Sequence, residues 1–339
     1  MRLKWLPSML VLALFATSAL AAPQVRYRLK VITSPLLGGL SFTGMNNRGE
    51  VVGTRSAPDG QFAFVWRDGQ FVDLRSRINP AANTIEATGI NNRSQVVGFY
   101  LEPNTSEFHG FLLGRRQVID VQGPPTAEAV FLGPINDREH VYGSFYDADF
   151  NEGFFVNDKG SVEVLDPSFT PTGINVSGAL SGIQNLNAER SAAIWEDGVI
   201  TPIASSPSSA SDINDRGQVI GALTDSSVRP FVWERGGLTL LPLLANQTRS
   251  APGDINNSGR IVGQTDFSQP GGTLQIATVW DNGEVADLNT LIHPDDPLRP
   301  FVTLQTAFFI NDRGEIMARG ADSRDGFLHS YFLEPVRRH

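Results

Sequence analysis

The stretch Gly89-Ile90-Asn91-Asn92-Arg93-Ser94-Gln95-Val96-Val97-Gly98 returns six more times along the chain, and no other feature constrains the fold as strongly. Each copy has an apolar residue, an Asn, a polar pair, usually a Gly, and then an apolar strand. The key asparagines are Asn46, Asn91, Asn136, Asn175, Asn214, Asn256 and Asn311, which step by 45, 45, 39, 39, 42 and 55 residues. In the first copy Leu40 to Met45, Glu50 to Thr54, Phe62 to Trp66 and Gln70 to Leu74 read as four short strands separated by two tight turns and one looser connection. The third strand recurs, for example, at Gly110 to Leu113, Ala192 to Trp195 and Ala277 to Trp280.

Four strands in roughly 40 to 45 residues match the period of a propeller blade, whereas a β-helix rung is much shorter. The seventh copy runs out within six residues of Leu333 and has no fourth strand, while Tyr27 to Ile32 is an alternating strand with no unit of its own. Pairing the two would close a ring and remove the exposed edges that invite aggregation. The expected fold is therefore all-β: a seven-bladed β-propeller of four-stranded blades, its ring closed by the N-terminal strand 27–32 and forming a single domain over 22–339. The long last step is filled by a Pro- and Asp-rich loop from Asn289 to Pro300, so no eighth blade is expected.

The motif has a local explanation. In Ile213 to Gly217 and Ile310 to Gly314 the Asn suits the start of a type I turn, where its side chain accepts a backbone N–H two residues on. Gly then takes the left-handed position, and Ser94 and Glu139, which replace it, are expected to carry strain of about 1 kcal/mol or less. The later Gly53, Gly98, Gly143, Gly182, Gly221 and Gly263 suit close packing inside a blade.

Repeated Ile-Asn-(Asn/Asp)-x-Gly-x-(Val/Ile)-(Val/Ile)-Gly, followed by an aromatic-rich Ala-Phe-x-Trp and an Asp-Gly turn, resembles the HAF family of bacterial extracellular repeats over nearly the whole mature chain. The fourth copy departs most, with Val176-Ser177-Gly178, and the last carries Ala318 in place of the second-strand Gly. The resemblance implies export and a repeat fold, and carries no catalytic residue.

Met1-Arg2-Leu3-Lys4, an apolar run from Leu6 to Leu20, and Ala19-Leu20-Ala21 follow the order of a signal peptide, 1–21, with cleavage after Ala21. The expected location is secreted or periplasmic. No later apolar run reaches spanning length, and none follows Val336, so no membrane span is expected after cleavage. Losing Arg2 and Lys4 moves the formal charge from -9 to -11, which argues against duplex nucleic acid or an anionic membrane as partner. Cysteine is absent, which excludes thiol chemistry and disulfide scaffolds.

His109, His140, His293, His329 and His339 show no metal spacing, and no Gly-x-Ser-x-Gly elbow or phosphate loop occurs. Trp66, Trp195, Trp233 and Trp280 end third strands and are expected in interblade core rather than as sugar platforms. Arg48, Arg93, Arg138, Arg216 and Arg313 recur on one face, with Asp137, Asp215 and Asp312 beside them, and read as solvated turns. No cofactor is expected. The weak exception is calcium: Asp147, Asp149 and Asn151 alternate like the start of a calcium loop, although Gly153 comes one residue late and Asp158 stands where Glu is usual.

Second-to-third and fourth-to-first connections must emerge on one face, because successive strands alternate direction. They vary in length and polarity (Ser56 to Gln61, Glu102 to Phe108, Phe145 to Glu152, Gln184 to Arg190, Thr224 to Arg229, Thr265 to Gln275, Asn289 to Pro300), and irregular loops on a rigid scaffold are where recognition resides. The expectation is a monomeric exported binding module working through this loop face on a glycan or another surface protein. The alternative is a polysaccharide-directed hydrolase or lyase using loop carboxylates such as Asp147, Asp149, Asp295 and Asp296, which requires two carboxyl groups to converge.

Overall fold

A computed structural model describes residues 25–32, 39–187, 189–205, 207–269 and 272–336. The expected leader, 1–21, lies outside the described residues. Among the described residues no helix is long and apolar enough to cross a membrane.

The described chain forms seven four-stranded antiparallel sheets arranged as the blades of a propeller. Blades 1 to 6 take their strands in chain order, beginning at Leu40–Met45, Ile85–Ile90, Ala129–Ile135, Phe169–Ile174, Ser208–Ile213 and Ser250–Ile255. Blade 7 is made of Val302–Ile310, Ile316–Asp322 and Leu328–Pro335, with Tyr27–Ile32 as its outermost strand. The closure inferred from sequence is therefore present, in the register Tyr27↔Pro335 to Ile32↔Ser330. Asp296, expected on a loop, is buried and clamps this strand: its carboxylate accepts the Leu29 N–H at 2.8 Å and the Leu298 N–H at 2.9 Å.

Two kinds of turn bound the strands on one face, called here the turn face. The third-to-fourth hairpins of blades 1, 3, 4, 5 and 6 are two-residue loops with both residues at positive φ, as at Asp68-Gly69 (50° and 79°) and Asp197-Gly198 (48° and 81°), whereas in blade 2 the residues 114–117 separate the two strands. Such type I′ turns match the strand twist. Because the loop holds only two residues, fourth strands such as Ser161–Val164 and Val199–Pro202 begin one residue earlier than the apolar pattern alone indicates. The first-to-second turns hold the repeated motif. Gly49, Gly178, Gly217, Gly259 and Gly314 occupy its left-handed position, and Ser94 (59°) and Glu139 (69°) adopt the same conformation without the freedom of glycine.

The core is distributed rather than central. Seven buried apolar clusters among the described residues each join a blade to its neighbour, for instance Phe64 and Trp66 of blade 1 with Met317 and Phe332 of blade 7. Each blade thus covers one face of the next, and ring closure leaves no blade with an uncovered face.

Candidate functional site

The motif does more than turn the chain. Each key Asn accepts two backbone N–H groups of its own turn, from residues two and four positions on: Asn91 Oδ1 takes those of Arg93 and Gln95, both at 3.0 Å. Its side-chain amide then reaches the next blade. Asn46 Nδ2 donates to the Asn91 carbonyl at 3.0 Å, and the pattern continues through Asn136, Asn175, Asn214, Asn256 and Asn311, which returns to the Asn46 carbonyl at 3.0 Å. A closed circle of side-chain to main-chain bonds therefore encloses the axis. The position after each Asn adds a second circle: Asn47 N–H to Asn92, Asn92 N–H to Asp137, Val176 N–H to Asp215, Asp215 N–H to Asn257, Asn257 N–H to Asp312 and Asp312 N–H to Asn47, all within 2.7 to 2.8 Å. Only Val176, which has no side-chain acceptor, breaks it.

These circles line an axial cavity of about 200 Å³ that opens on the turn face. Deeper in its wall lie Asp212 and Asp254, on the first strands of blades 5 and 6. Both are two residues before their key Asn, where the other copies have Gly44, Gly89, Pro134, Gly173 and Phe309. The Ile255 N–H meets both carboxyl groups, at 2.8 Å from Asp254 Oδ1 and 3.4 Å from Asp212 Oδ2, which brings the two side chains side by side. Asp254 also accepts the Ile310 N–H at 2.7 Å. Burial in the wall raises the pKa of both, and for Asp212 the neighbouring Asp254 charge raises it further. Two buried carboxyl groups that interact in this way titrate as a pair. The sequence signal for this pair was an acid in Ser211-Asp212-Ile213-Asn214 and Gly253-Asp254-Ile255-Asn256 at a place where no other copy has one.

The loop face has a different character. Exposed apolar side chains gather on its connections: Phe150, Leu186, Phe267, Phe301, Phe327 and Leu328. Asp147, Asp149 and Asn151 stand together on the hairpin end of blade 3, where Asp147 Oδ1 accepts the N–H groups of Asp149 and Asn151 at 2.9 Å. Asn151 turns its amide nitrogen, 3.1 to 3.2 Å away, onto the same carboxylate, and these bonds hold Asp147 below the usual carboxylate range. The segment is built as a self-capped turn. No group of three or more His, Cys, Asp or Glu side chains among the described residues is placed to hold a metal ion. Of the other loop carboxylates, Asp296 holds the closing strand and Asp295 lies beside His293, so neither belongs to the blade 3 group.

The tryptophans behave as expected in three of the four blades. Trp66 (4% exposed) packs at 5.1 Å on Phe332, Trp280 (2%) donates to the Pro242 carbonyl at 2.8 Å, and Trp195 (7%) is buried against blade 3. Trp233 is only half-buried, on the wall of a larger cleft between blades 4 and 5. The turn arginines are less free than expected: Arg48 donates to the Asn92 carbonyl at 3.0 Å, and Arg93 reaches the Asp137 carbonyl and Glu139.

Neither a family model nor a curated relative matches the chain. Solved structures do. The β-propeller domain of the Trilobed protease from Pyrococcus furiosus aligns with a TM-score of 0.61 at 8% identity, over 90% of this chain and 96% of that one. A puromycin-hydrolyzing peptidase from Mycobacterium tuberculosis aligns at 0.54 and 13% identity, over 93% of this chain and 56% of its own. An acylaminoacyl peptidase from Pyrococcus horikoshii aligns at 0.58 and 10% identity, over 89% and 52%. The chain thus spans about half the length of these two peptidases. At such identity the likeness is one of fold. The Pyrococcus furiosus domain is described as having an open velcro topology, whereas this ring is closed by the strand Tyr27–Ile32.

Proposed function

We propose that this chain is an exported, HAF-like recognition module that engages a surface protein through its loop face. The observation that carries the reading is that the exposed phenylalanines among the described residues all lie there, Phe150 at 85% and Phe327 at 69% exposure with Phe267 and Phe301 beside other loops, whereas the exposed aliphatic side chains are shared with the outer fourth strands. A folded chain gains nothing in stability by presenting them to water, whereas aromatic anchors carry most of the energy in protein interfaces. The turn face has its polar groups tied into circles from blade to blade, which fits a supporting role. Export is supported by the leader-like residues 1–21, and sequencing of the exported protein is expected to begin at Ala22.

The test is affinity capture from an envelope extract of the producing cell, comparing the natural chain with a Phe150→Ser, Phe327→Ser double variant of unchanged melting temperature. A partner retained by the natural chain and lost by the variant is expected. A partner held equally by both would overturn the loop-face reading.

A hydrolase or lyase remains the competing function, and one observation favours it: the Asp212–Asp254 pair on the axial cavity, rather than the loop carboxylates. Polysaccharide turnover abolished by Asp212→Asn would establish it over the binding module.

A further inference from the structure

The cleft beside Trp233 lies on the turn face, away from the loop face assigned above, and has a free volume of about 490 Å³. Its origin is legible in the repeat. Five copies place Arg at the third motif position, and Arg48 and Arg93 extend from there across the gap to the next blade. The fourth copy has Ser177, whose hydroxyl turns back onto Asn175 at 2.7 Å and leaves the gap between blades 4 and 5 open. The sixth copy has Ser258, and there Arg260, paired with Asp281 at 2.6 Å and hydrogen-bonded to Tyr27, narrows the gap toward blade 7 to a smaller cleft of about 300 Å³. Among the described residues no ion pair spans the wider cleft between blades 4 and 5, which Arg216 and Arg235 line.

What the open gap exposes is chemically specific. The half-buried indole of Trp233 and the side chains of Ile194 and Val199 form an apolar surface. Around it stand the Glu196 carboxylate, the Thr201 hydroxyl and the Arg235 guanidinium. Among the described residues the Trp233 indole N–H, the Glu196 carboxylate and the Thr201 hydroxyl have no protein hydrogen-bond partner, unlike Trp280, whose N–H is bonded to Pro242. An aromatic face with donors and acceptors of both charges at its rim suits a ligand with one C–H face and a circumference of hydroxyl groups.

We propose that this cleft is a saccharide site taking one or two pyranose units, with Trp233 stacking on the ring and Glu196, Thr201 and Arg235 bonding its hydroxyls. The site is independent of the loop face, so either can fail without the other.

The experiment is saturation-transfer NMR on the mature full chain with methyl β-glucopyranoside, methyl β-galactopyranoside, N-acetylglucosamine and cellobiose as probes. At least one is expected to give saturable transfer to its ring C–H protons with a dissociation constant of about millimolar. Ser177→Arg, which installs the side chain that five sibling turns carry, is expected to weaken it at least about tenfold while leaving the fold and loop-face capture intact. Should that variant not fold, Glu196→Gln and Trp233→Phe, both milder, are expected to weaken binding with unchanged circular dichroism. No saturable response from any probe, or a response that survives in the folded variants, would overturn the assignment.

Discussion

An asparagine side chain carries an acceptor and a donor on one small planar group, and the axial circle uses both. The acceptor role was readable from a single copy, since Asn at the head of a type I turn has a known local task. The donor role was not, because its partner is the carbonyl of another copy, 39 to 55 residues away in six blades and 265 at the closure from Asn311 to Asn46, visible only once the blades are side by side. Asn91→Asp keeps the acceptor and puts a carboxylate oxygen against the buried Asn136 carbonyl. It is expected to cost about 1 to 3 kcal/mol, read as a lower urea midpoint at unchanged slope. Asn175 makes the longest bond of the circle, 3.4 Å to the Asn214 carbonyl. Asn175→Asp should therefore cost clearly less than Asn91→Asp, and equal costs would mean that the circle contributes little to stability.

Within a blade, two glycines of the same repeat do unlike work. Gly98 sits opposite a bulge in the first strand, between Ala87 and Gly89, and a Cβ there would lie 1.9 Å from the Glu86 carbonyl and 2.9 Å from the Phe111 ring. Gly217 needs only its left-handed φ of 74°, with nothing within 4 Å of a would-be Cβ. Gly98→Ala is expected to cost about 2 to 3 kcal/mol or more, because backbone must move, and Gly217→Ala about 1 kcal/mol. Thermal unfolding of the two variants checks the ranking, and a smaller loss for Gly98→Ala would refute the packing argument. Both roles were legible in the sequence: the turn glycine from its place between two strands, the packing glycine from its recurrence. The bulge itself was not, since it arises from matching the register of two strands, a property no single segment encodes. The departures of the fourth copy were visible too, but that Ser177 leaves a cleft follows only from seeing where the sibling arginines reach.

Across the whole molecule neighbouring blades share polar groups around the axis, and blades 5 and 6 share an ionisable pair whose contribution depends on pH. The closing strand was legible because a missing fourth strand and a spare strand are complementary; the Asp212–Asp254 contact was not, because each acid alone reads as a solvated strand end. Desolvation raises both pKa values, the Asp254 and Asp312 charges add to this for Asp212 and Asp254 respectively, and the N–H groups of Ile213, Ile255 and Ile310 oppose it. Tyr142 of blade 3 feels the same charge: burial raises its phenol pKa first, and Asp212 raises it further. The pair therefore favours folding in its protonated form. Unfolded aspartates titrate near about pH 3.9, so this contribution is fully present below that pH and is lost as pH rises through the raised folded values. Asp212→Asn supplies a permanently neutral donor to Asp254. It is expected to leave stability below about pH 4 little changed and to raise it relative to the natural chain as pH increases toward neutrality and above. Denaturant midpoints of both proteins across that range decide it: parallel curves would mean that the two carboxyl groups do not share a proton across the blade interface.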